Sequence, residues 1–202
     1  LLSYQEKSDL KAKLGRTLLV FPSHGIIGVT ATFNNDEFIE EIERVRKDFD
    51  TVLISLYWTD VLKPDLVASY EALGYKIVTS GHRFDLNFLS RQKSFIELAD
   101  YTMSNNLGTH VGYCIHLNKP HYIFQQRVFY DAKDQKTQKH LSDASNQDNN
   151  LTYEWELKEI CEAFNQYEID ITEKQREIVE EYWGESYIRT PEELRNLLRY
   201  SK

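Results

Sequence analysis

The sequence lacks several features that would assign it to a class at once. No apolar run approaches the length of a membrane span, and the N-terminus has neither region of a signal peptide. The motifs G-x-G-x-x-G, G-x-x-x-x-G-K-[ST] and G-x-S-x-G are absent, which argues against an ordinary dinucleotide fold, a P-loop phosphotransferase and an α/β-hydrolase. Histidines and carboxylates never take zinc-ligand spacing, so no metal is predicted.

Cysteine and methionine are scarce. Cys114 and Cys161 lie far apart without a C-x-x-C pattern, which predicts two buried free thiols in a reducing cytoplasm. The single methionine is Met103, and the chain begins at Leu1. We therefore expect this chain to be a piece of a longer protein, with half of a two-part active site outside it.

The charge is unbalanced toward acid. The 202 residues carry a formal net charge of −8, which argues against a nucleic acid or an anionic membrane surface as a general partner. A local cationic site remains compatible with this charge. The hydrophobic content of 41%, with 13 tyrosines and 10 phenylalanines, predicts a sizeable core.

Continuous apolar runs alternate with segments of helical spacing through the first two thirds of the chain. This alternation predicts an α/β fold, a doubly wound parallel sheet of about five strands with helices on both faces. The predicted strands are 17–21, 51–56, 76–79, 101–104 and 121–124, and the predicted helices are 37–49, 65–73, 88–98 and 109–117.

The remaining residues divide into three further parts. Residues 1–15 are predicted to form a linker or helix ahead of the α/β domain at 16–130, and the polar stretch 131–150 is predicted to be a flexible loop. A C-terminal helical extension, 151–202, is expected to pack on the same domain. Thr172 and the Thr190-Pro191 pair are typical helix starts within it.

Ligands of open parallel sheets bind outside the carboxyl ends of the strands, so polar residues that follow strands are candidate site residues. His24, His82 and Arg83 are each equally compatible with an ordinary turn or solvated loop. His116 and His121 are expected at the opposite end of the sheet and are not predicted to be ligands. The candidates are Ser23, His24, Tyr57, Trp58, Asp60, Ser80, Gly81, His82, Arg83, Asn105, Gly108, Thr109, His110, Gln125, Gln126 and Arg127.

The segment from Asp100 to Tyr113 is the most informative. It reads as a buried strand, a polar turn containing Gly108, and the first turn of a helix, an arrangement that directs free N–H groups at an anion such as phosphate. Thr109 is predicted to cap the helix. His110, in the first turn, is expected to be neutral because the positive helix end disfavours imidazolium.

The same segment resembles the C-terminal, donor-binding half of GT-B-type glycosyltransferases of bacterial surface-polysaccharide synthesis. The resemblance covers about 17–124 and rests on Ala99-Asp100, Ser104-Asn105, Gly108-Thr109 and Asn118-Lys119-Pro120. It implies a Rossmann-like domain that binds a nucleotide diphosphate sugar, with a glycan acceptor and a missing N-terminal half as partners. It further implies a cytoplasmic location, in solution or peripheral to the inner membrane.

By this resemblance, the turn from Asn105 to His110 would hold the donor diphosphate. Ser23 and His24 would approach the phosphates or the sugar, and His82 with Arg83 would flank the base. Many retaining members carry a paired acidic motif where this chain has Gln125-Gln126, which favours an inverting transferase. We expect the transferase to be metal-independent and to use no cofactor. His24 and His110 are the candidate catalytic residues, and the general base is expected in the other half.

Two other interpretations remain open. Nucleotide-sugar 2-epimerases and hydrolases share this architecture and would use the same turn. A non-catalytic α/β assembly domain would instead use its aromatic residues and C-terminal helices as an interface.

Overall fold

The computed structural model describes residues 3–139 and 151–200. Five strands form one wholly parallel sheet in the order β4-β3-β1-β5-β6, and β2 pairs with β7 in a separate antiparallel sheet. This order confirms the predicted doubly wound, Rossmann-like α/β fold. The strands are β1 (Thr17–Phe21), β2 (Val29–Thr32), β3 (Thr51–Ser55), β4 (Lys76–Val78), β5 (Tyr101–Ser104), β6 (His121–Ile123) and β7 (Phe129–Ala132).

Helices connect the parallel strands and follow them. Short 3₁₀ turns extend two of the helical regions, at Arg46–Asp48 and Glu185–Tyr187. The helices are α1 (Tyr4–Leu14), α2 (Asn35–Val45), α3 (Pro64–Glu71), α4 (Phe88–Leu98), α5 (His110–His116), α6 (Leu151–Phe164), α7 (Glu173–Trp183) and α8 (Pro191–Tyr200). Within the described ranges, no helix has the length and apolar content needed to cross a membrane.

The core has two layers because successive side chains of β1 point to opposite faces of the sheet. Leu18 and Val20 pack with α2 and α3, whereas Leu19 and Phe21 pack with α4 and α5. All five residues of β1 are buried, as the continuous apolar run predicts for a strand covered on both faces. Cys114 and Cys161 are buried free thiols, and burial raises the pKa of Cys114 to about 12.

The helices α6 and α7 pack against α5 and β6 through a third cluster that includes Phe164 and Ile178. Gly112 of α5 makes this approach close, because a Cβ at that position would meet the indole ring of Trp183. Thr172 caps α7 through a reciprocal capping box with Gln175, as the sequence predicts.

The antiparallel pair β2–β7 is absent from the sequence-based prediction. Asp131 and Ala132 belong to β7, so the predicted polar loop 131–150 begins with strand residues. Its residues 140–150 lie outside the described part of the chain. The pair was missed because its strands are four residues long, mostly exposed, and separated by about a hundred residues in sequence, so no local pattern indicates their pairing.

Candidate functional site

A cleft of about 320 Å³ lies at the carboxyl ends of the parallel strands. Its centre is the gap between β1 and β5, where the order in which successive strands join the sheet reverses and where ligands of such sheets bind. The cleft collects sequence-predicted residues that follow four different strands: Ser23, His24, Tyr57, Ser80, Gly81, Gly108, Thr109 and His110.

The side chain of Asn105 links the strand ends beneath the cleft by hydrogen bonds. Its side chain is fully buried; Oδ1 accepts from the N–H of Ser23 at 2.7 Å, and Nδ2 donates to Gln126 Oε1 at 3.2 Å. Gln126 Nε2 in turn donates to Asn34 O and to Glu37 Oε2. Asn105 thus joins the ends of β1, β5 and β6, and both polar atoms of its amide are engaged within the protein.

The turn after β5 presents unpartnered backbone donors. Within the part of the chain that the structure describes, the N–H groups of Gly108, Thr109 and His110 have no acceptor. Thr109 was expected to cap α5, but its backbone is already helical and its side chain makes no capping bond. A threonine with helical φ and ψ directs its hydroxyl away from the N–H groups that a cap would engage.

His110 lies at the floor of the cleft. Its ring stacks on Phe21 with centroids 4.5 Å apart, and it lies so close to Gly108 that a Cβ there would come within 2.7 Å of Nδ1. Nε2 is buried without a hydrogen-bond partner. Burial, and secondarily the charge of His24, lowers the pKa of His110 to about 3, so the ring is neutral as predicted, with burial as the main cause.

His121 supports His110 from within the core. It begins β6, but its ring lies only 5.4 Å from that of His110, so it is nearer the cleft than the sequence suggests. Nδ1 lies 2.8 Å from Thr102 Oγ1 and Nε2 lies 3.0 Å from Ser104 Oγ. Burial lowers the pKa of His121 well below its ordinary value. It is a buried, fully partnered histidine and does not line the cleft.

The wall opposite α5 is aromatic and polar. The exposed ring of His24 stacks on Tyr57 at 4.5 Å, with its Nδ1–H donating to Gly25 O at 2.7 Å. Ser80 lies two residues after β4 and is only 6% exposed, yet its Oγ has no hydrogen-bond partner among the described residues. A buried hydroxyl without a partner costs free energy, which makes Ser80 a candidate contact for a bound group.

Other predicted residues lie outside the cleft lining. His82 packs against the rings of Trp58 and Phe84, and its Nδ1 accepts from Phe84 N–H. Arg83 places its guanidinium over the Phe84 ring, and Gln125 is exposed on the loop after β6. None of the three is among the residues that line the cleft, although Ser80 and Gly81 of the same loop as His82 and Arg83 do line it.

Asp60 belongs to a neighbouring cavity of about 190 Å³ behind Ser23. Its carboxylate is buried and pairs with Lys63 Nζ at 2.6 Å. Tyr70 Oη donates to Asn35 Oδ1 at 2.6 Å in the same cavity. These polar groups satisfy one another, which contrasts with the unpartnered groups of the larger cleft.

Sequence reasoning missed several lining residues: Phe88, Leu89, Gln92, Tyr113 and Tyr130. Tyr113 had a usable signal, because it lies one helical turn after His110 and so shares its face of α5. No sequence signal pointed to Tyr130, because it reaches the cleft from β7, a strand that the sequence did not predict. Among the residues that the structure describes, no lysine, arginine, aspartate or glutamate lines the cleft, so this part of the lining is polar and aromatic without formal charge.

No protein-family model and no curated protein sequence matches the chain. Among the residues that the structure describes, no group of three histidine, cysteine, aspartate or glutamate side chains is close enough to hold a metal ion.

Proposed function

We propose that the chain is the donor-binding part of a glycosyltransferase, and that a nucleotide diphosphate sugar binds in the β1–β5 cleft for transfer to a bacterial surface glycan. One observation carries this proposal. Three free backbone N–H groups, of Gly108, Thr109 and His110, lie at one cleft with two buried side-chain atoms that lack partners, Ser80 Oγ and His110 Nε2.

The backbone donors suit the chemistry of the leaving group. When the bond between the sugar and the diphosphate breaks, negative charge accumulates on the departing diphosphate. N–H groups already directed at that position stabilise the charge without reorganising, which is the role that backbone donors have in oxyanion sites. In this proposal the backbone N–H groups stabilise the negative charge, which the uncharged side chains of the lining do not.

The cleft walls suit the uncharged parts of the donor. Tyr57, Tyr113 and Tyr130 offer both flat apolar faces and hydroxyl groups, which favour a sugar ring or a base. Ser80 Oγ and the neutral ring of His110 would supply hydrogen bonds that select its orientation. The geometry favours transfer over a self-contained hydrolase, because none of the described residues places a carboxylate in the cleft to activate a water molecule.

A backbone substitution tests the proposal. Thr109 has φ −59°, which proline adopts without strain, and the preceding residue is glycine, which reduces the steric conflict that proline causes. Thr109→Pro deletes one N–H group, whereas Thr109→Ala removes only the side chain. In calorimetric titrations with uridine, guanosine, cytidine and adenosine diphosphates, the proline variant should bind about tenfold more weakly, as expected for one lost hydrogen bond to a charged group.

The matched controls separate the possible outcomes. Thr109→Ala should bind the diphosphate as the unmodified chain does, and the affinity for the corresponding nucleoside should be equal in all three proteins. The absence of saturable heat with all four diphosphates, in a folded sample, would count against the proposal. Equal losses in the alanine and proline variants would assign the effect to the side chain and contradict the role of the backbone.

A further inference from the structure

A second cavity at the carboxyl edge carries polar groups that the proposed donor site does not use. It is the cavity of about 190 Å³ that contains Asp60, and we call it the Asp60 cavity. It shares Pro22, Ser23 and Leu56 with the larger cleft, so the two cavities have a common wall. Its volume corresponds to about six water molecules, which admits one sugar ring and not two.

The contacts within this cavity leave hydrogen-bonding capacity on the Asp60 carboxylate. Lys63 Nζ lies 2.6 Å from Oδ1, whereas Oδ2 accepts no hydrogen bond within the described part of the chain. Oδ2 does not belong to the polar atoms that the protein encloses without a partner, so it contacts the open space of the cavity. Burial, and secondarily the charge of Asp60, raises the pKa of Tyr70, which places this carboxylate near the Tyr70 hydroxyl.

Asn35 supplies the complementary donor. Its Oδ1 accepts from Tyr70 Oη at 2.6 Å, which fixes the orientation of the amide. Its Nδ2 carries two N–H bonds and donates to none of the residues that the structure describes. A hydroxyl group both donates and accepts, so one hydroxyl can donate to Asp60 and another can accept from Asn35. The polar side of the cavity therefore suits a ligand with several hydroxyl groups.

The remaining lining suits the carbon face of a sugar ring. Phe33, Leu66 and the buried ring of Tyr70 line the same space and offer apolar contact. Among the described lining residues, Asp60 and Lys63 are the charged ones, and their charges cancel. A cavity without net charge favours a neutral sugar over a uronic acid, because an unpaired carboxylate would lose its hydration without compensation.

We propose that the Asp60 cavity binds one neutral monosaccharide, the terminal unit of the acceptor glycan, through hydrogen bonds from its hydroxyl groups to Asp60 and Asn35. The acceptor role of this sugar rests on the proposed function, whereas the sugar site itself does not. The common wall at Ser23 places the sugar beside the donor cleft, and transfer requires the two reactants to be held close together.

NMR titrations of the 202-residue chain with the methyl glycosides of glucose, galactose, rhamnose and N-acetylglucosamine test the proposal. At least one glycoside should bind with a dissociation constant on the order of 1 mM, as expected for a ligand of this size. Methyl glucuronide should bind at least about tenfold more weakly than the neutral glycoside, because its charge has no partner in the cavity.

Two substitutions alter the cavity in different ways. Asp60→Asn keeps the shape of the side chain but removes its charge, and should weaken sugar binding at least about tenfold. Ala31→Leu leaves the polar groups in place and fills part of the cavity, and should abolish saturable binding of the sugar. The matched control is Asp65→Asn, the same chemical change at an exposed position in the first turn of α3, outside the cavity.

The control variant should bind the sugar as the unmodified chain does, and all four proteins should have equal affinity for nucleoside diphosphates and equal circular dichroism. The proposal is overturned if no glycoside binds, if either cavity variant binds as tightly as the unmodified chain, or if Asp65→Asn loses as much affinity as Asp60→Asn. Diphosphate binding without sugar binding overturns this inference alone, whereas sugar binding without diphosphate binding supports the sugar site and counts against the proposed function.

Discussion

The two edges of the parallel sheet satisfy their polar groups to different degrees. At the amino edge, the Asp100 carboxylate pairs with Lys11 and accepts from the N–H of Thr17 at 2.7 Å, and Asp50 accepts from the N–H of Arg16 at 2.7 Å. At the carboxyl edge, Trp58 Nε1, Ser80 Oγ and His110 Nε2 are buried without partners.

A buried polar group without a partner lowers the stability of the fold, so folding alone does not account for three of them on one edge. The amino edge shows that this chain is able to complete such networks. Tyr101 Oη also makes no hydrogen bond of good geometry to the described residues, but it lies at the amino edge, away from the cleft, and the backbone of Glu168 is close enough to interact with it. The difference is consistent with an amino edge that stabilises the fold and with the ligand site that we propose at the carboxyl edge.

The largest expected effect comes from breaking the one complete network at the carboxyl edge. Asn105→Ala would leave the N–H of Ser23 and the amide of Gln126 without their partners and open a small cavity. We expect a loss of about 3 kcal/mol in the free energy of unfolding, measured by urea denaturation. Gln125→Ala, an exposed neighbour, should change it by less than about 0.5 kcal/mol. Equal effects would show that Asn105 does not join the strands.

The second-largest expected effect comes from a substitution at the amino edge of the sheet. Asp100→Ala removes the acceptor for the buried N–H of Thr17 and the partner of Lys11, and should cost about 2 kcal/mol of unfolding free energy. Asp100→Asn keeps an acceptor oxygen and should lose about half as much. If the asparagine variant is as unstable as the alanine variant, the ion pair and not the backbone contact stabilises this edge.

Ser80 and Ser94 sharpen the comparison, because both are buried serines but only Ser94 Oγ has a partner, Ser90 O at 2.9 Å. Ser94→Ala should lower the unfolding free energy by about 0.5–1 kcal/mol, whereas Ser80→Ala should leave it unchanged or raise it. Ser80→Ala should instead weaken nucleoside diphosphate binding about fivefold in calorimetry. A clear loss of stability in Ser80→Ala would mean that its hydroxyl has a structural partner.

The smallest effect is in the acid dependence of stability. The pKa values of His110 and His121 lie below the ordinary 6.5 because both rings are buried, so below pH 6.5 the unfolded chain binds protons that the folded chain does not. The free energy of unfolding should therefore fall as the pH decreases from 6.5 to 5, before most carboxylates titrate. His110→Gln should reduce this slope, and an unchanged slope would contradict a buried neutral ring.

Much of the fold could be predicted from local pattern. The run Thr17–Phe21 is confirmed as a strand to the residue, and Thr172 and Pro191 mark helix starts correctly. Such signals are local because a strand covered on both faces must be continuously apolar and a helix start must satisfy its own N–H groups. The β2–β7 pair could not be predicted, because its two strands meet only after the rest of the chain has folded.

The candidate site could be predicted in part for a similar reason. Ser23, His24, Gly108, Thr109 and His110 were found because the carboxyl-edge rule depends only on strand order. The sequence could not show whether the Asn105 side chain would face the cleft or bond to the neighbouring strand ends, because this depends on the direction of one side chain. The burial that neutralises His110 likewise involves residues remote in sequence, such as Phe21, whose ring stacks on it.

The amino-acid sequence by itself determined the alternation of strands and helices and the polar turn after β5, because periodicity and turn chemistry act over a few residues. Only the tertiary structure decided which of those polar groups found partners. Burial and hydrogen bonding are properties of side chains brought together from distant positions, and they separate the satisfied amino edge from the unsatisfied cleft at the other end of the same sheet.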